Sequence, residues 1–198
     1  MRYAPGAWRL AAIPLLLGAA LALFASPLGL LGVAAAGFVL WFHRDPERTT
    51  PAEGLVAPAD GRVTVLRAED DRVRVGVFMG VTDVHVNRAP VDGTVEAVTH
   101  EPGAHRPAFS KDSDRNERVR LELGDTEVTL IAGAFARRIH PYVAAGDVVA
   151  RGERIGHISF GSRVDVLLPP GVEMADIRVT EGERVRAGET VLVGPGDW

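Results

Sequence analysis

The chain has 198 residues, 24% of them charged and 46% hydrophobic, with a net charge of -4. Those fractions are near globular averages and exclude a disordered or collagen-like polymer; the acidic balance argues against a general basic field for nucleic acid. No cysteine is present, which excludes a disulfide scaffold, a thiolate metal site and a cysteine nucleophile, and Lys111 is the only lysine beside 21 arginines.

The N-terminus is strongly apolar. No charged side chain occurs from Leu10 to Phe42, and Ser26-Pro27 breaks the run into Leu10–Ala25 and Leu28–Phe42. As a helix each half would be about 24 Å long, short of the roughly 30 Å hydrocarbon core of a bilayer. The run reads either as a helical hairpin turning at Ser26-Pro27 or as one tilted, kinked span. Arg2 and Arg9 precede it and Arg44 and Arg48 follow it; positive charge on both flanks favours the hairpin, with both ends cytoplasmic and Trp8, Trp41 and Phe42 as interfacial anchors. A cleaved signal peptide is the competing reading, opposed by the second apolar run.

The expected organisation is a membrane-anchoring segment over residues 1–43, a polar, proline-bearing linker over 44–54 and a β-rich domain over 55–198. Short β-branched runs at Gly61–Leu66, Val73–Met79, Gly93–Val98, Val119–Leu123, Glu127–Ala132 and Val164–Leu168, separated by glycine turns, predict a mostly β domain. Gly146–Ile155 (GDVVARGERI) echoes Gly182–Val191 (GERVRAGETV), and Asp60-Gly61-Arg62-Val63 echoes Asp92-Gly93-Thr94-Val95. Such Gly-Asp/Glu turns are similar to those of barrel-sandwich hybrid domains of the lipoyl and biotinyl type. Carriers of that type need a lysine at a hairpin tip, whereas Lys111 lies in the long polar loop Gly103–Arg118, itself either a solvated loop or a substrate lid.

Several residues suit chemistry. Gly161-Ser162 falls between strand-like runs. A Gly-Ser bond in a strained turn can undergo an N→O acyl shift, in which the serine hydroxyl attacks a carbonyl that glycine leaves open, provided a base takes the hydroxyl proton. His85, in Asp83-Val84-His85-Val86-Asn87, shares an extended face with Asp83 and Asn87 and is a candidate base. Asp60, at an Asp-Gly turn, is either ordinary hairpin chemistry or the carboxylate that orients His85. Arg137 and Arg138 suit a phosphate. The six histidines form no close ligand set, so no metal is expected.

Taken together, FHRDPER (Phe42–Arg48), PADGRV (Pro58–Val63), DVHVNRAP (Asp83–Pro90), NER (Asn116–Arg118), GAFARRI (Gly133–Ile139) and FGSRVDVLLP (Phe160–Pro169) resemble, in order and spacing, short-form phosphatidylserine decarboxylases. The resemblance runs from about residue 40 to the C-terminus. It implies a proenzyme that cuts itself between Gly161 and Ser162 into a β chain (1–161) and an α chain (162–198) that stay together, as a heterodimer or as part of a higher oligomer. Ser162 would become a covalent pyruvoyl group, with no metal. The enzyme would be a carboxy-lyase acting on a phospholipid serine headgroup, ester or ether, at the cytoplasmic side of the cell membrane. Asp60, His85 and Ser162 match a self-cleavage triad. Longer members carry a second histidine where this chain has Arg88, so His85 either serves both cleavage and decarboxylation or shares them with His140 or another group. Arg88, Arg137 and Arg138 are candidates for the lipid phosphate. The alternative function is a non-enzymatic, membrane-anchored barrel-sandwich adaptor or carrier-like domain.

Overall fold

A computed structural model describes residues 2–23, 26–103, 116–133, 138–159 and 161–196. The chain divides into two compact units, Met1–Glu47 and Arg48–Trp198.

In the first unit, β1 (Arg2–Tyr3) pairs antiparallel with β2 (Arg44–Asp45). Between them lie two helices, α1 (Ala7–Ala22) and α2 (Ser26–Phe42). Small residues set how closely the helices approach: a Cβ on Gly18 would stand 2.6 Å from the Gly32 Cα, and one on Gly29 would stand 2.8 Å from the Ala22 Cβ. The large apolar side chains therefore face outward, among them Trp8, Ile13, Leu16, Leu30, Leu31 and Trp41. Phe42, expected as an interfacial anchor, is instead fully buried, its ring against Phe38 and His43. Among the described residues neither helix is long and apolar enough to cross a membrane.

The second unit is mostly β. Its strands are β3 (Leu55–Val56), β4 (Gly61–Glu69), β5 (Arg72–Met79), β6 (Val86–Arg88), β7 (Gly93–Glu101), β8 (Arg118–Leu123), β9 (Thr126–Ile131), β10 (Ile139–Pro141), β11 (Val148–Val149), β12 (Arg154–Ile158), β13 (Ser162–Leu167), β14 (Arg184–Val185) and β15 (Val191–Val193). Eight of them form one antiparallel sheet in the order β11-β7-β8-β9-β13-β5-β4-β14. A second sheet has the order β10-β12-β6, and β15 pairs with β3. Each β-branched run named from the sequence falls on a strand. The reason is the period of two: in β8, Val119, Leu121 and Leu123 are buried while Arg118, Arg120 and Glu122 alternate with them on the other face. Val75, Val77, Leu130, Val164 and Val166 continue that core across the neighbouring strands.

The repeats noticed in the sequence are a structural duplication. Gly188 donates its N–H to the Ala57 carbonyl and Gly182 to that of Val63; Gly152 donates to Ala89 and Gly146 to Val95. Residues 57–63 thus meet 182–190 as 89–95 meet 146–153. The aspartates of the two halves match as well. Asp60 Oδ1 accepts the Ala187 N–H at 2.8 Å, and Asp92 Oδ1 accepts the Arg151 N–H at 2.9 Å. Residues 48–54, read from the sequence as linker, bond to this unit: Arg48 reaches Asp60 and Glu189, and the Arg151 guanidinium donates to the carbonyls of Ala52 and Gly54.

Candidate active site

The sheet order brings distant residues to one end. Ser162 opens β13 opposite Met79, the last residue of β5. On the far side of β5, Arg62 pairs with Phe78, and Gly61 crosses the Phe78–Met79 backbone so closely that a Cβ would sit 2.0 Å from the Phe78 carbonyl oxygen. Gly61 has φ +146, and Val185 of β14 pairs with it. Beyond Met79 the chain turns: Asp83 accepts the Gly80 N–H on its carboxylate at 2.8 Å and returns its own N–H to the Gly80 carbonyl at 3.0 Å. It then enters β6 through His85, whose carbonyl accepts the Ile158 N–H at 3.3 Å. The segment from Ile158 to Ser162, which holds the Gly161–Ser162 bond, is therefore pinned at both ends against the segment from Met79 to His85.

Ser162 is completely buried, and its Oγ has no hydrogen-bond partner among the described residues. Gly161 before it has φ +65, in the left-handed region, with nothing within 4 Å of where a Cβ would be. Glycine is needed there for its backbone conformation rather than for space. His85 is 2% exposed, and its Nδ1 lies 3.0 Å from the Asp83 carbonyl. A proton on Nδ1 for that bond leaves Nε2 as the basic nitrogen.

Asp60 is held differently from the sequence picture of a carboxylate on His85. Both its oxygens accept from the one nitrogen Arg48 Nη2, at 2.9 and 2.7 Å, and Oδ1 also accepts the Ala187 N–H at 2.8 Å. Burial raises its pKa above the ordinary 3.8, while the Arg48 charge and the Ala187 and Arg48 hydrogen bonds oppose the rise and nearby Asp83 adds to it. The expected common face of Asp83, His85 and Asn87 is also modified. A turn over residues 81–83 and irregular backbone at 84–85 precede β6, which starts at Val86, and Asp83 meets His85 through its main-chain carbonyl. Asn87 is fully buried, its Nδ2 3.5 Å from the Met79 sulfur.

The arginines separate. Arg88 is buried and donates to the Gly152 carbonyl at 2.8 Å. Arg138 is exposed beside Ile139, which pairs with Ile158 next to the His85 carbonyl. Arg137, together with Lys111 and His105 of the polar loop, lies outside the described residues. His140 stacks on the buried His157 with centroids 4.5 Å apart, and Tyr142 Oη lies 2.8 Å from His157 Nδ1. Sequence reasoning gave Arg48 only a flanking-charge role and a place in the FHRDPER motif, not a bond to Asp60, and gave no role to the Arg163–Asp165 ion pair at 2.7 Å directly after Ser162, where each side chain is almost wholly buried. The alternation of β13 puts Arg163 and Asp165 on one face and was the available signal; for Arg48 the signal was its place in the FHRDPER motif, which names no partner. Among the described residues no group of three histidine, aspartate or glutamate side chains is placed to hold a metal ion.

The family model for phosphatidylserine decarboxylase matches residues 35–193. The chain belongs to the phosphatidylserine decarboxylase family. It is 61% identical over 189 residues, 95% of this chain and 96% of the relative, to a Halobacterium salinarum protein named "Putative archaetidylserine decarboxylase proenzyme". It is also 51% identical over 162 residues to the phosphatidylserine decarboxylase proenzyme of Streptomyces avermitilis, covering 79% of this chain and 74% of that one. To the proenzyme of the same name from Thermobifida fusca it is 52% identical over 165 residues, 81% and 75% of the two chains. A phosphatidylserine decarboxylase is a carboxy-lyase, so membership makes this chain an enzyme of that class and sets the adaptor and carrier alternatives aside.

Proposed function

We propose that this chain is a membrane-attached proenzyme that cuts itself between Gly161 and Ser162 and then decarboxylates the serine headgroup of a phospholipid. The single observation that carries the reading is the Ser162 hydroxyl, fully buried and engaged in no hydrogen bond among the described residues, directly after a left-handed glycine. A buried hydroxyl left without a partner is costly in a finished structural role; it suits a group held ready to react.

His85 Nε2 takes the Ser162 Oγ proton as the oxygen attacks the Gly161 carbonyl carbon. The Gly161–Ser162 C–N bond breaks, the departing amine takes a proton, and an ester remains. Removal of the Ser162 Cα proton then expels the Gly161 carboxylate, and replacement of the nitrogen by water releases ammonia and leaves a pyruvoyl group on residue 162. That group supplies an electron sink for the pair left when CO₂ departs. The Asp60 carboxylate, at the same end of the sheet, is assigned the support of the imidazolium that forms as the oxygen attacks. His85 carries the proton that replaces the carboxyl group. Exposed Arg138 suits the headgroup phosphate, a place Arg88 fills poorly while it is bonded to Gly152.

The outward apolar side chains of α1 and α2 support a helical hairpin lying in the cytoplasmic face of the cell membrane, which confines the enzyme to its substrate's surface. The duplicated Gly-Asp/Glu turns support a barrel-sandwich arrangement of the β domain. The relatives' names divide between ester and ether lipids and share the serine headgroup, which is the part the site would act on.

The test is the intact mass of the protein purified in detergent and denatured. Wild type gives two species, one of them residues 162–198 with a pyruvoyl terminus, and releases CO₂ from vesicles containing phosphatidylserine or archaetidylserine. Ser162→Ala gives a single chain and no CO₂. Decarboxylation by the Ser162→Ala protein would sink the reading.

A further inference from the structure

The two halves of the internal duplication differ at one point. Asp60 and Asp92 occupy equivalent turns and make equivalent bonds, to the main-chain N–H of Ala187 and of Arg151. That bond is enough to hold the turn, because Asp92 is exposed and has no guanidinium partner among the described residues. Asp60 has in addition Arg48, whose Nη2 lies within hydrogen-bond distance of both carboxylate oxygens, and both side chains are nearly buried, Arg48 8% and Asp60 13% exposed. Arg48 is itself clamped, its Nη1 lying 3.3 Å from Glu189 Oε2 while the Thr49 N–H points to Glu189 Oε1 at 3.4 Å. The fold thus spends an arginine, a glutamate and the stretch after Glu47 on the one aspartate of the pair that lies at the Ser162 end of the sheet.

We propose that Arg48 is a positioning residue for self-cleavage, acting through Asp60: its Nη2, bonded to both carboxylate oxygens, fixes the carboxylate and balances its charge in a site poor in water. This rests on the reading that Asp60 supports the cleavage of Gly161–Ser162. The charged groups around Asp60 are Arg48 and Glu189, with Arg186 3.7 Å from Glu189, and Asp83, itself paired with Arg184 at 3.3 Å. Burial is the largest influence on Asp60 and favours its neutral form; Arg48 is the largest influence opposing it. Removing the guanidinium leaves burial and Asp83 acting together in the same direction, and a neutral carboxyl gives a cationic His85 no support.

The experiment is a pulse-chase of full-length proenzyme, translated in vitro with detergent and chased from pH 5 to 9, with cleavage read on a gel. Arg48→Gln is expected to cleave at least tenfold more slowly at pH 7 and to recover as pH rises, because the acid limb of its rate profile moves upward. Arg48→Lys keeps the charge and a single donor for the Asp60 carboxylate but loses the second nitrogen that reaches Glu189, and is expected to restore most of the rate with a limb near that of wild type. Asp92→Asn, in the matching turn, is expected to leave rate and profile unchanged. A wild-type rate in Arg48→Gln, or a loss equal at every pH and not relieved in Arg48→Lys, overturns the proposal. Asp60→Asn separates the two levels. If it cleaves as wild type, the reading of Asp60 falls and this one with it; if it is impaired while Arg48→Gln is not, only the role of Arg48 falls.

Discussion

Gly161 has φ +65 and open space where a side chain would go. Gly161→Ala therefore meets no clash and costs only the left-handed backbone, about 1 kcal/mol. The expected outcome is a folded protein that cleaves several-fold more slowly, read by gel against wild type. Asp60 yields a prediction about stability. Burial raises its folded pKa above the ordinary 3.8, so the folded chain binds the proton more tightly than the unfolded one. Its contribution to stability is accordingly most favourable below pH 3.8 and declines as pH rises through the raised value. In a Ser162→Ala background, the Tm of Asp60→Asn relative to the Asp60 protein should rise between pH 3.5 and 6. A flat difference would show that Arg48 and Ala187 fully offset burial.

At the scale of elements, strands were legible because burial on one face writes a period of two into the sequence. In β5, Val73, Val75 and Val77 are buried against the core while Arg72 and Arg74 alternate with them, partly exposed. The alternating polar side also carries structure. Arg163 and Asp165 of β13 pair in the interior, and Gly76 of β5 makes room for them: a Cβ there would stand 2.6 Å from Asp165 Oδ1. Asp165→Asn leaves the Arg163 charge without its carboxylate and should cost about 3–5 kcal/mol, measured by denaturant unfolding of the uncleaved Ser162→Ala protein. Gly61→Ala should be as severe, since its Cβ would fall 2.0 Å from a backbone carbonyl that cannot swing away. The turn after β5 was less legible. Alternation in Asp83-Val84-His85-Val86-Asn87 suggested a strand throughout, whereas the Gly80–Asp83 hydrogen bonds close a turn first and only Val86–Arg88 joins a sheet.

At the scale of the whole chain, the proposed cut falls between two parts that the sheet interleaves. β13, the first strand after the Gly161–Ser162 bond, is hydrogen-bonded along its length to β5 on one side and β9 on the other. Farther on, β14 pairs with β4 and β15 with β3. Cleavage therefore removes one covalent bond and none of these ladders. The two products should co-elute in size exclusion without denaturant and separate only when guanidinium unfolds the sheet; dissociation at neutral pH without denaturant would contradict the sheet order.

By itself the sequence determined the apolar N-terminal run, the β character of the remainder, the repeated glycine-acid turns and the motifs that name the family. Each is written locally, in periodicity, in turn chemistry or in a short string of residues. Tertiary structure alone decided which turns face one another, that Asp60 is bonded to Arg48 while its counterpart Asp92 is exposed, that Arg88 is buried on Gly152, and that Ser162 lies buried opposite Met79. The reason is physical. These facts depend on strand pairings between residues far apart in the chain, and on how much water each pairing leaves beside a charge. No local pattern of residues encodes either quantity.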